Sequence, residues 1–143
     1  LTNLQHYFTK WHLTLNPNKT VAIALHLNNR EAQKKLKLKI GDEHIANEVY
    51  PKYLGVRIDR SLTFKKHLED VKNKLKSRNN IISKLAGVDW GSSTKVLRIS
   101  AIALMYSVAE YCAPVWARSA HCHKVDTELN HTMRILTDTV KPT

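Results

Sequence analysis

The sequence predicts an α+β fold in which a small antiparallel β region is followed by a three-helix bundle. In the first part of the chain, apolar residues alternate with polar ones, which is the two-residue period of strands. From about residue 61, apolar residues recur every three or four positions, which is the period of helices. We therefore expect a β region followed by a helical region, and at 143 residues the chain could be one small domain.

The first part is predicted to consist mainly of strands joined by turns. Leu4–Leu13 is predicted to be the end of a helix, and Asn16-Pro17-Asn18 marks the turn after it. Gly41-Asp42 is expected to form a type II′ hairpin turn, because glycine is preferred at its first position. The alternating apolar residues predict strands over Val21–Leu27, Leu36–Ile40, Ile45–Val49 and Tyr53–Ile58.

Residues 53–64 join the last predicted strand to a basic amphipathic helix. Gly55 lies within that strand and has no Cβ, so another backbone could approach it closely. Such an approach would suit a protein that holds a nucleic-acid strand. A β-bulge or a simple packing accommodation is the alternative explanation for this glycine.

The first helix of the second part is predicted to begin after Thr63 as N-cap and to end at Gly87. Its lysines point away from the apolar stripe, and Asn79 interrupts the stripe with a polar group. The stripe consists of Phe64, Leu68, Val71, Leu75, Ile82 and Leu85.

Two further helices are predicted. Ser92 or Ser93 is expected to cap a helix that is apolar on nearly all sides from Val96 to Ala109 and hence buried, and Pro114 ends or kinks it. The third helix carries Val125, Leu129, Met133 and Leu136.

The composition indicates an anionic partner. The chain has 23 Lys and Arg against 12 Asp and Glu, a formal net charge of +11. Nucleic acid is the first candidate and a membrane surface the second. The most apolar segment, Ile99–Ala109, is far shorter than the roughly 20 residues that span a bilayer, so no membrane is expected. Cys112 and Cys122 have no metal or redox spacing, which favours reduced thiols in an intracellular protein.

Several short motifs occur in a specific order: Asn16-Pro17-Asn18-Lys19-Thr20, Tyr53-Leu54-Gly55-Val56, Leu62-Thr63-Phe64 with His67-Leu68, Trp90-Gly91, and Glu110-Tyr111-Cys112-Ala113-Pro114-Val115-Trp116. Together they resemble the reverse transcriptase of non-LTR retrotransposons, most of all the jockey-like group, over essentially the whole chain. The resemblance implies that residues 1–60 are the C-terminal part of the palm, with motifs D and E, and residues 61–143 the thumb. The family's catalytic aspartates would lie upstream of Leu1. Asp138 stands where the family usually has glycine, and Lys66 where it often has an acid.

The resemblance also implies site residues. Lys19, at the end of motif D, would act as a general acid towards the leaving pyrophosphate, although a solvated lysine beside a proline turn is the alternative. Tyr53, Leu54, Gly55 and Val56 would form motif E, the primer grip. The basic residues of the first thumb helix could contact phosphates, or could form only a solvated face; they are Lys65, Lys66, Lys72, Lys76, Arg78 and Lys84.

No metal site is predicted in this chain. The acid pair Asp42-Glu43 falls in a hairpin turn, and Glu69-Asp70 diverge on a helix. His121-Cys122-His123, with His131, lacks the paired ligands of a zinc site. The chain alone would bind no cofactor, whereas the full enzyme would use Mg²⁺. The expected partners are an RNA template, a DNA primer and the remainder of the reverse transcriptase polypeptide, in the nucleus and cytoplasm.

The preferred interpretation is therefore a fragment of an RNA-directed DNA polymerase, a nucleotidyltransferase, that is inactive alone. The alternatives are a non-catalytic nucleic-acid-binding module derived from a retroelement, or a decayed open reading frame. An in-frame upstream segment with two adjacent aspartates would favour the polymerase. A translated transcript that starts near Leu1 would favour the module.

Overall fold

The computed structural model describes residues 2–32, 34–87 and 91–139. The chain combines helices with small two-stranded sheets, as an α+β fold requires. It divides into two compact units, unit 1 (Leu1–Leu62) and unit 2 (Thr63–Thr143). No helix in the described ranges has the length and apolar character needed to cross a bilayer. Trp90, part of one predicted motif, lies outside the described residues.

Unit 1 consists of short elements. Its helical segments are α1 (Thr2–Lys10), a 3₁₀ turn (Pro17–Lys19) and α2 (Asn29–Ala32). Its described strands have two residues each: β1 (Val21–Ala22), β2 (Lys39–Ile40), β3 (Glu43–His44), β4 (Ala46–Asn47), β5 (Lys52–Tyr53) and β6 (Val56–Arg57). These ladders are much shorter than the strands predicted from alternation, because alternation reports side-chain polarity and not backbone pairing.

The strands of unit 1 form three separate pairs. β1 pairs with β4 in parallel, which corrects the expectation of a purely antiparallel region. β2 and β3 are antiparallel and are joined by Gly41-Asp42, where Gly41 has φ +59° as a type II′ turn requires at its first position. The hairpin turn is confirmed, but its return strand is β3 and not Ile45–Val49.

The predicted single strand Tyr53–Ile58 is wrong. β5 and β6 pair antiparallel with Tyr53 opposite Val56, so Leu54 and Gly55 form a two-residue turn. Their φ angles of +45° and +87° have the signs that a type I′ turn requires at both positions. The sequence misled because a hairpin whose turn holds an apolar residue keeps the same alternation as a continuous strand.

In the residues that the structure describes, the regular elements of unit 2 are all helical. Its elements are α3 (Lys65–Leu85), α4 (Thr94–Ala101), a π-helical segment (Ile102–Tyr106), α5 (Ser107–Ala109), α6 (Ala113–Trp116) and α7 (His123–Thr137). The π segment directly joins α4 to α5.

The ends of these helices agree with the sequence only in part. The N-cap of α3 is Phe64 and not Thr63, because the carbonyl of Phe64 accepts the N–H of Leu68 at 2.9 Å. Ser93 caps α4, as predicted, with its side chain accepting from the Val96 N–H at 3.5 Å. Gly87 directly follows Ala86, the C-cap of α3, which is the predicted position.

Unit 2 is built around one apolar core. The apolar stripe predicted on α3 is confirmed at four positions, because Leu68, Val71, Leu75 and Ile82 are buried. The second predicted helix is not buried on all sides, since Val96, Ile99 and Ile102 are about half exposed. The core cluster consists of Leu68, Val71, Leu75, Ile82, Ala101, Met105, Ala109, Trp116 and Val125.

A buried polar network links α3 to α7 within this core. The Asn79 amide donates from Nδ2 to the Glu128 carbonyl at 3.0 Å and to Glu128 Oε2 at 3.2 Å. Thr132 Oγ1 donates to Asn79 Oδ1 at 2.7 Å. The side chain of Asn79, which interrupts the apolar stripe of α3, thus finds its hydrogen-bond partners on α7. These bonds fix the register between the two helices.

Candidate nucleic-acid interface

The most basic element of the structure is α3, which carries seven basic and two acidic side chains. Lys65, Lys72 and Lys76 are separated by seven and four residues, so they lie along one side of the helix. Lys65 and Lys76 are exposed and Lys72 is partly buried. We call these three residues the lysine row of α3. The apolar stripe turns α3 towards its core, which leaves the row accessible to an anion.

Lys66 and Lys84 lie on a neighbouring side of α3 and are both exposed. Lys66 Nζ lies 3.3 Å from Asp70 Oδ1, one turn along the helix. An exposed pair of this kind is weak, so Lys66 can exchange Asp70 for another anion at little cost.

Arg78 differs from the five predicted lysines, because its guanidinium forms a hydrogen bond within unit 2. It is partly buried and donates from one terminal nitrogen to the carbonyl of Leu104, within the π segment. A π segment disturbs the regular pairing of helix carbonyls, and Arg78 supplies a donor to one of them. The sequence pattern could not separate this internal contact from a phosphate contact.

One acid lies among the lysines of α3. Glu69 forms an ion pair and hydrogen bond with Lys124 of α7. Lys124, and more weakly Lys72 and Lys66, hold the pKa of Glu69 below its ordinary value, while partial burial opposes them. Glu69 therefore stays ionised, and its charge is offset mainly from α7, which leaves the lysine row largely positive.

The predicted primer-grip residues form the tip of the β5–β6 hairpin. Val56 is buried, while Tyr53 and Leu54 are 66% and 71% exposed. Leu54 adopts a left-handed backbone conformation that a non-glycine residue takes at a cost of about 1–2 kcal/mol. The hairpin thus presents a tyrosine ring and an apolar side chain at a strained turn.

Lys19 ends the 3₁₀ turn and is exposed. The turn is held by Asn16, whose side chain accepts the Asn18 N–H at 3.0 Å and whose carbonyl accepts the Thr20 hydroxyl at 2.9 Å. Lys19 thus lies at the end of a turn that these two hydrogen bonds hold. Like the residues of the β5–β6 hairpin, it belongs to unit 1. The lysine row belongs to unit 2.

In the cluster His121-Cys122-His123, the side chains make contacts with residues close by in the sequence. Cys122 Sγ lies 3.3 Å from the Trp116 carbonyl oxygen, and His123 Nδ1 lies 3.1 Å from that of Ala120. The rings of His121 and His123 are 6.4 Å apart. Among the described residues, no group of three His, Cys, Asp or Glu side chains is arranged to hold a metal ion.

Sequence reasoning passed over a second set of lysines, Lys35, Lys37 and Lys39 in unit 1. Their strict alternation with leucine was the signal that could have identified them, because it predicts that they share one face.

No protein-family model matches the chain, and comparisons with curated proteins and with solved structures also return no match.

Proposed function

We propose that the chain is the C-terminal palm edge and thumb of a jockey-like non-LTR reverse transcriptase, and that it holds primer and template in the full enzyme. In this proposal unit 1 carries the primer grip, and the helices of unit 2 form the thumb. The observation that carries the proposal is α3, a 21-residue helix that packs its apolar stripe and leaves Lys65 and Lys76 of the lysine row exposed and Lys72 partly exposed.

The lysine row suits contact with a sugar–phosphate backbone. At about 1.5 Å per residue, Lys65 and Lys72 are about 10 Å apart along the helix, and Lys72 and Lys76 about 6 Å. Lysine ammonium groups contact phosphates as point charges and carry no sequence information. The expected binding is therefore unspecific and strongly dependent on salt.

The β5–β6 hairpin supports the second part of the proposal. An exposed Tyr53 ring can stack on a base or a sugar at the end of a primer. Strained backbone such as that of Leu54 clusters at ligand-binding sites, where the surrounding structure maintains it. Gly55 contributes by permitting the turn.

Two further backbone positions support the resemblance. Asp138 is the C-cap of α7 with φ +52°, a conformation that favours the glycine usual in the family at this position. A Cβ at Gly91 would lie 1.9 Å from the Gly87 carbonyl oxygen, so only glycine fits there. The backbone thus requires, or tolerates best, the residue that the family pattern carries.

The described acids do not fit the Mg²⁺ ions that the full enzyme would use. Glu69 is paired with Lys124 and Asp70 with Lys66, and Asp42-Glu43 occupy the end of a hairpin. In the proposal this chain contributes grip and positioning, with Lys19 as the general acid of the complete enzyme.

The test is binding of a labelled RNA–DNA hybrid by the full chain over a range of salt. Contact of α3 with about four phosphates contributes about −3.6 to the slope of log K against log salt. Replacing Lys65, Lys72 and Lys76 together by alanine should reduce the magnitude of that slope by about 2.7. The matched control replaces Lys10, Lys95 and Arg118, which are exposed and belong to other segments than α3.

Two outcomes would contradict the proposal. A salt-independent affinity would exclude phosphate contacts as the source of binding. Template-dependent nucleotide incorporation by the pure chain with Mg²⁺ would show that the chain is a polymerase on its own. Reading the frame upstream of Leu1 for two adjacent aspartates tests the family assignment separately.

A further inference from the structure

The segment that carries Lys35, Lys37 and Lys39 is held extended by hydrogen bonds. The Asn47 side chain donates from Nδ2 to the Leu36 carbonyl at 2.7 Å and accepts the Leu36 N–H on Oδ1 at 3.0 Å. The Ile45 N–H donates to the Leu38 carbonyl at 2.9 Å. Beyond Leu38 the segment continues into β2, which is paired with β3. Its register is therefore fixed at Leu36, at Leu38 and in β2.

Successive side chains of an extended segment point to opposite sides. Leu38 and Ile40 are partly buried on one side, and Lys37 and Lys39 are exposed on the other. Lys35, which precedes the bonded segment, is also exposed. We call Lys35, Lys37 and Lys39 the lysine face of unit 1.

The pairing of β2 with β3 decides which side the neighbouring charges occupy, because residues directly opposite each other share a face. Lys39 is opposite His44, whereas Ile40 is opposite Glu43. Glu43 therefore lies on the side of Ile40, away from the lysines.

The nearest acids leave Lys37 and Lys39 uncompensated. Glu31 forms its ion pair with Lys34. Glu48 lines a small cleft together with Lys35, at the opposite end of the segment from Lys39. Lys37 and Lys39 form no ion pair with any residue in the described ranges.

We propose that the lysine face is a second contact surface for the sugar–phosphate backbone of a nucleic-acid strand. Same-side residues of an extended segment lie about 6.6 Å apart, which is of the order of the separation of neighbouring phosphates along one strand. Each lysine would contact one phosphate without reading sequence. The inference rests on the proposed nucleic-acid function but uses a different unit from the lysine row of α3.

Asn47 acts in this proposal as a positioning residue. Its amide makes both of its bonds to one residue, Leu36, and so keeps the segment extended with the three lysines on the same side. Replacing Asn47 by alanine removes both bonds while every positive charge remains.

The experiment measures binding of duplex DNA by the full chain over a range of salt. Replacing Lys35, Lys37 and Lys39 together by alanine should reduce the magnitude of the salt slope by about 2.7, at roughly 0.9 per phosphate contact. The control variant, with Lys10, Lys95 and Arg118 replaced, loses the same charge and should keep nearly the wild-type slope. Equal slopes for the two variants would overturn the proposal.

Asn47→Ala provides an independent measurement. It should reduce the magnitude of the slope although no charge is removed, and duplex DNA should protect Lys37 and Lys39 from acetylation in the wild type but less in this variant. A lower melting temperature with an unchanged slope and unchanged protection would mean that Asn47 has only a structural role. Two-dimensional NMR spectra check that each variant keeps the fold of unit 1.

The outcomes separate this inference from the proposed function. If the wild-type chain binds no nucleic acid, both are wrong. If it binds and only the α3 variant loses salt dependence, the proposed function stands and the lysine face does not contribute. Binding to phosphatidylserine vesicles that requires the lysine face and is not displaced by duplex DNA would assign the surface to a membrane and overturn the proposal.

Discussion

The two units of this chain are stabilised in different ways. Unit 2 buries a continuous apolar cluster between α3, the helix of residues 94–109 and α7. In the described part of unit 1, the buried apolar side chains are Ala22, Ile45, Val56 and Pro51. Large apolar residues there remain accessible, and Leu27 is 86% exposed. Burial of apolar area is the dominant favourable contribution to folding. We therefore expect the free energy of unfolding of unit 2 to be much larger than that of unit 1.

Unit 1 relies instead on local hydrogen bonds. Asn16 holds the 3₁₀ turn, and Asn47 holds Leu36 through both backbone groups. Each such bond contributes only about 1 kcal/mol net, because the unfolded chain bonds to water instead. We infer that unit 2 unfolds as one cooperative body, while elements of unit 1 open locally at lower free energy.

The sharpest test of this contrast is truncation of a core residue. Leu75→Ala should lower the free energy of unfolding of unit 2 by about 2–5 kcal/mol, because Leu75 is fully buried. Leu36→Ala in unit 1 should cost less than about 1 kcal/mol, because that side chain is exposed. Hydrogen exchange with mass spectrometry reports both units, and equal costs would refute the contrast.

The polar network of unit 2 provides the next largest effect. Asn79→Ala should cost about 1–3 kcal/mol, since the Glu128 carbonyl and the Thr132 hydroxyl lose a partner inside the core. Asn80→Ala is the matched control, because Asn80 is adjacent and exposed, and should stay within about 0.5 kcal/mol. Urea unfolding followed by circular dichroism measures both. A cost at Asn79 no larger than at Asn80 would mean that the network does not stabilise the fold.

In unit 1, the β5–β6 turn should respond locally. Gly55→Val forces a β-branched residue into φ +87° and should destabilise the hairpin by about 1–3 kcal/mol. Gly55→Asn should be tolerated better, because asparagine adopts positive φ more readily. Amide exchange in residues 52–57 should accelerate for valine only, while α3 stays protected. Faster exchange in α3 as well would show that the hairpin is not an independent local element.

The smallest effect concerns the ion pair of Glu69 with Lys124. The pKa of Glu69 in the folded chain lies below its ordinary value of 4.5. Its stabilising contribution is therefore present above that value and is lost as the pH falls through the lowered pKa. Glu69→Gln should remove this part of the acid dependence of the melting temperature, and 1 M salt should weaken it. An NMR titration of Glu69 that gives an unshifted pKa would contradict the assignment.

The sequence was most informative where one period persisted over a long element. The stripe of α3 gave the right face, because five turns of consistent spacing leave little ambiguity. The turn at Gly41-Asp42 was also predictable, since glycine at its first position has a local steric reason. The interpretation of α3 and the hairpin as thumb and primer grip stays a prediction.

Three features of the structure could not be predicted from the sequence, each for a physical reason. Leu54 adopts positive φ although its side chain gives no indication of it, so the β5–β6 hairpin was predicted as a strand. In the sequence, Asn79 only interrupts the apolar stripe of α3. In the structure, it forms hydrogen bonds with Glu128 and Thr132 of α7. Arg78 donates to the helix carbonyl of Leu104, which the sequence did not indicate, and its contact with phosphate stays a prediction. For Asn79 and Arg78 the deciding interaction joins residues 49 and 26 positions apart, which no local window connects.

The π segment explains how one helix keeps a four-residue spacing on a single face. Leu97, Ala101, Met105 and Ala109 are all buried, yet in a regular α-helix each step of four residues rotates by about 40°. Over the three steps the last residue would have turned about 120° away from the core. A π-helical segment holds more residues per turn, so it rotates less per residue and brings the phase back. Apolar residues that recur strictly every four positions, instead of every 3.6, thus indicate a locally underwound helix. Deleting one residue between Ile102 and Tyr106 would rotate every later side chain of this helix to a different position around the helix axis.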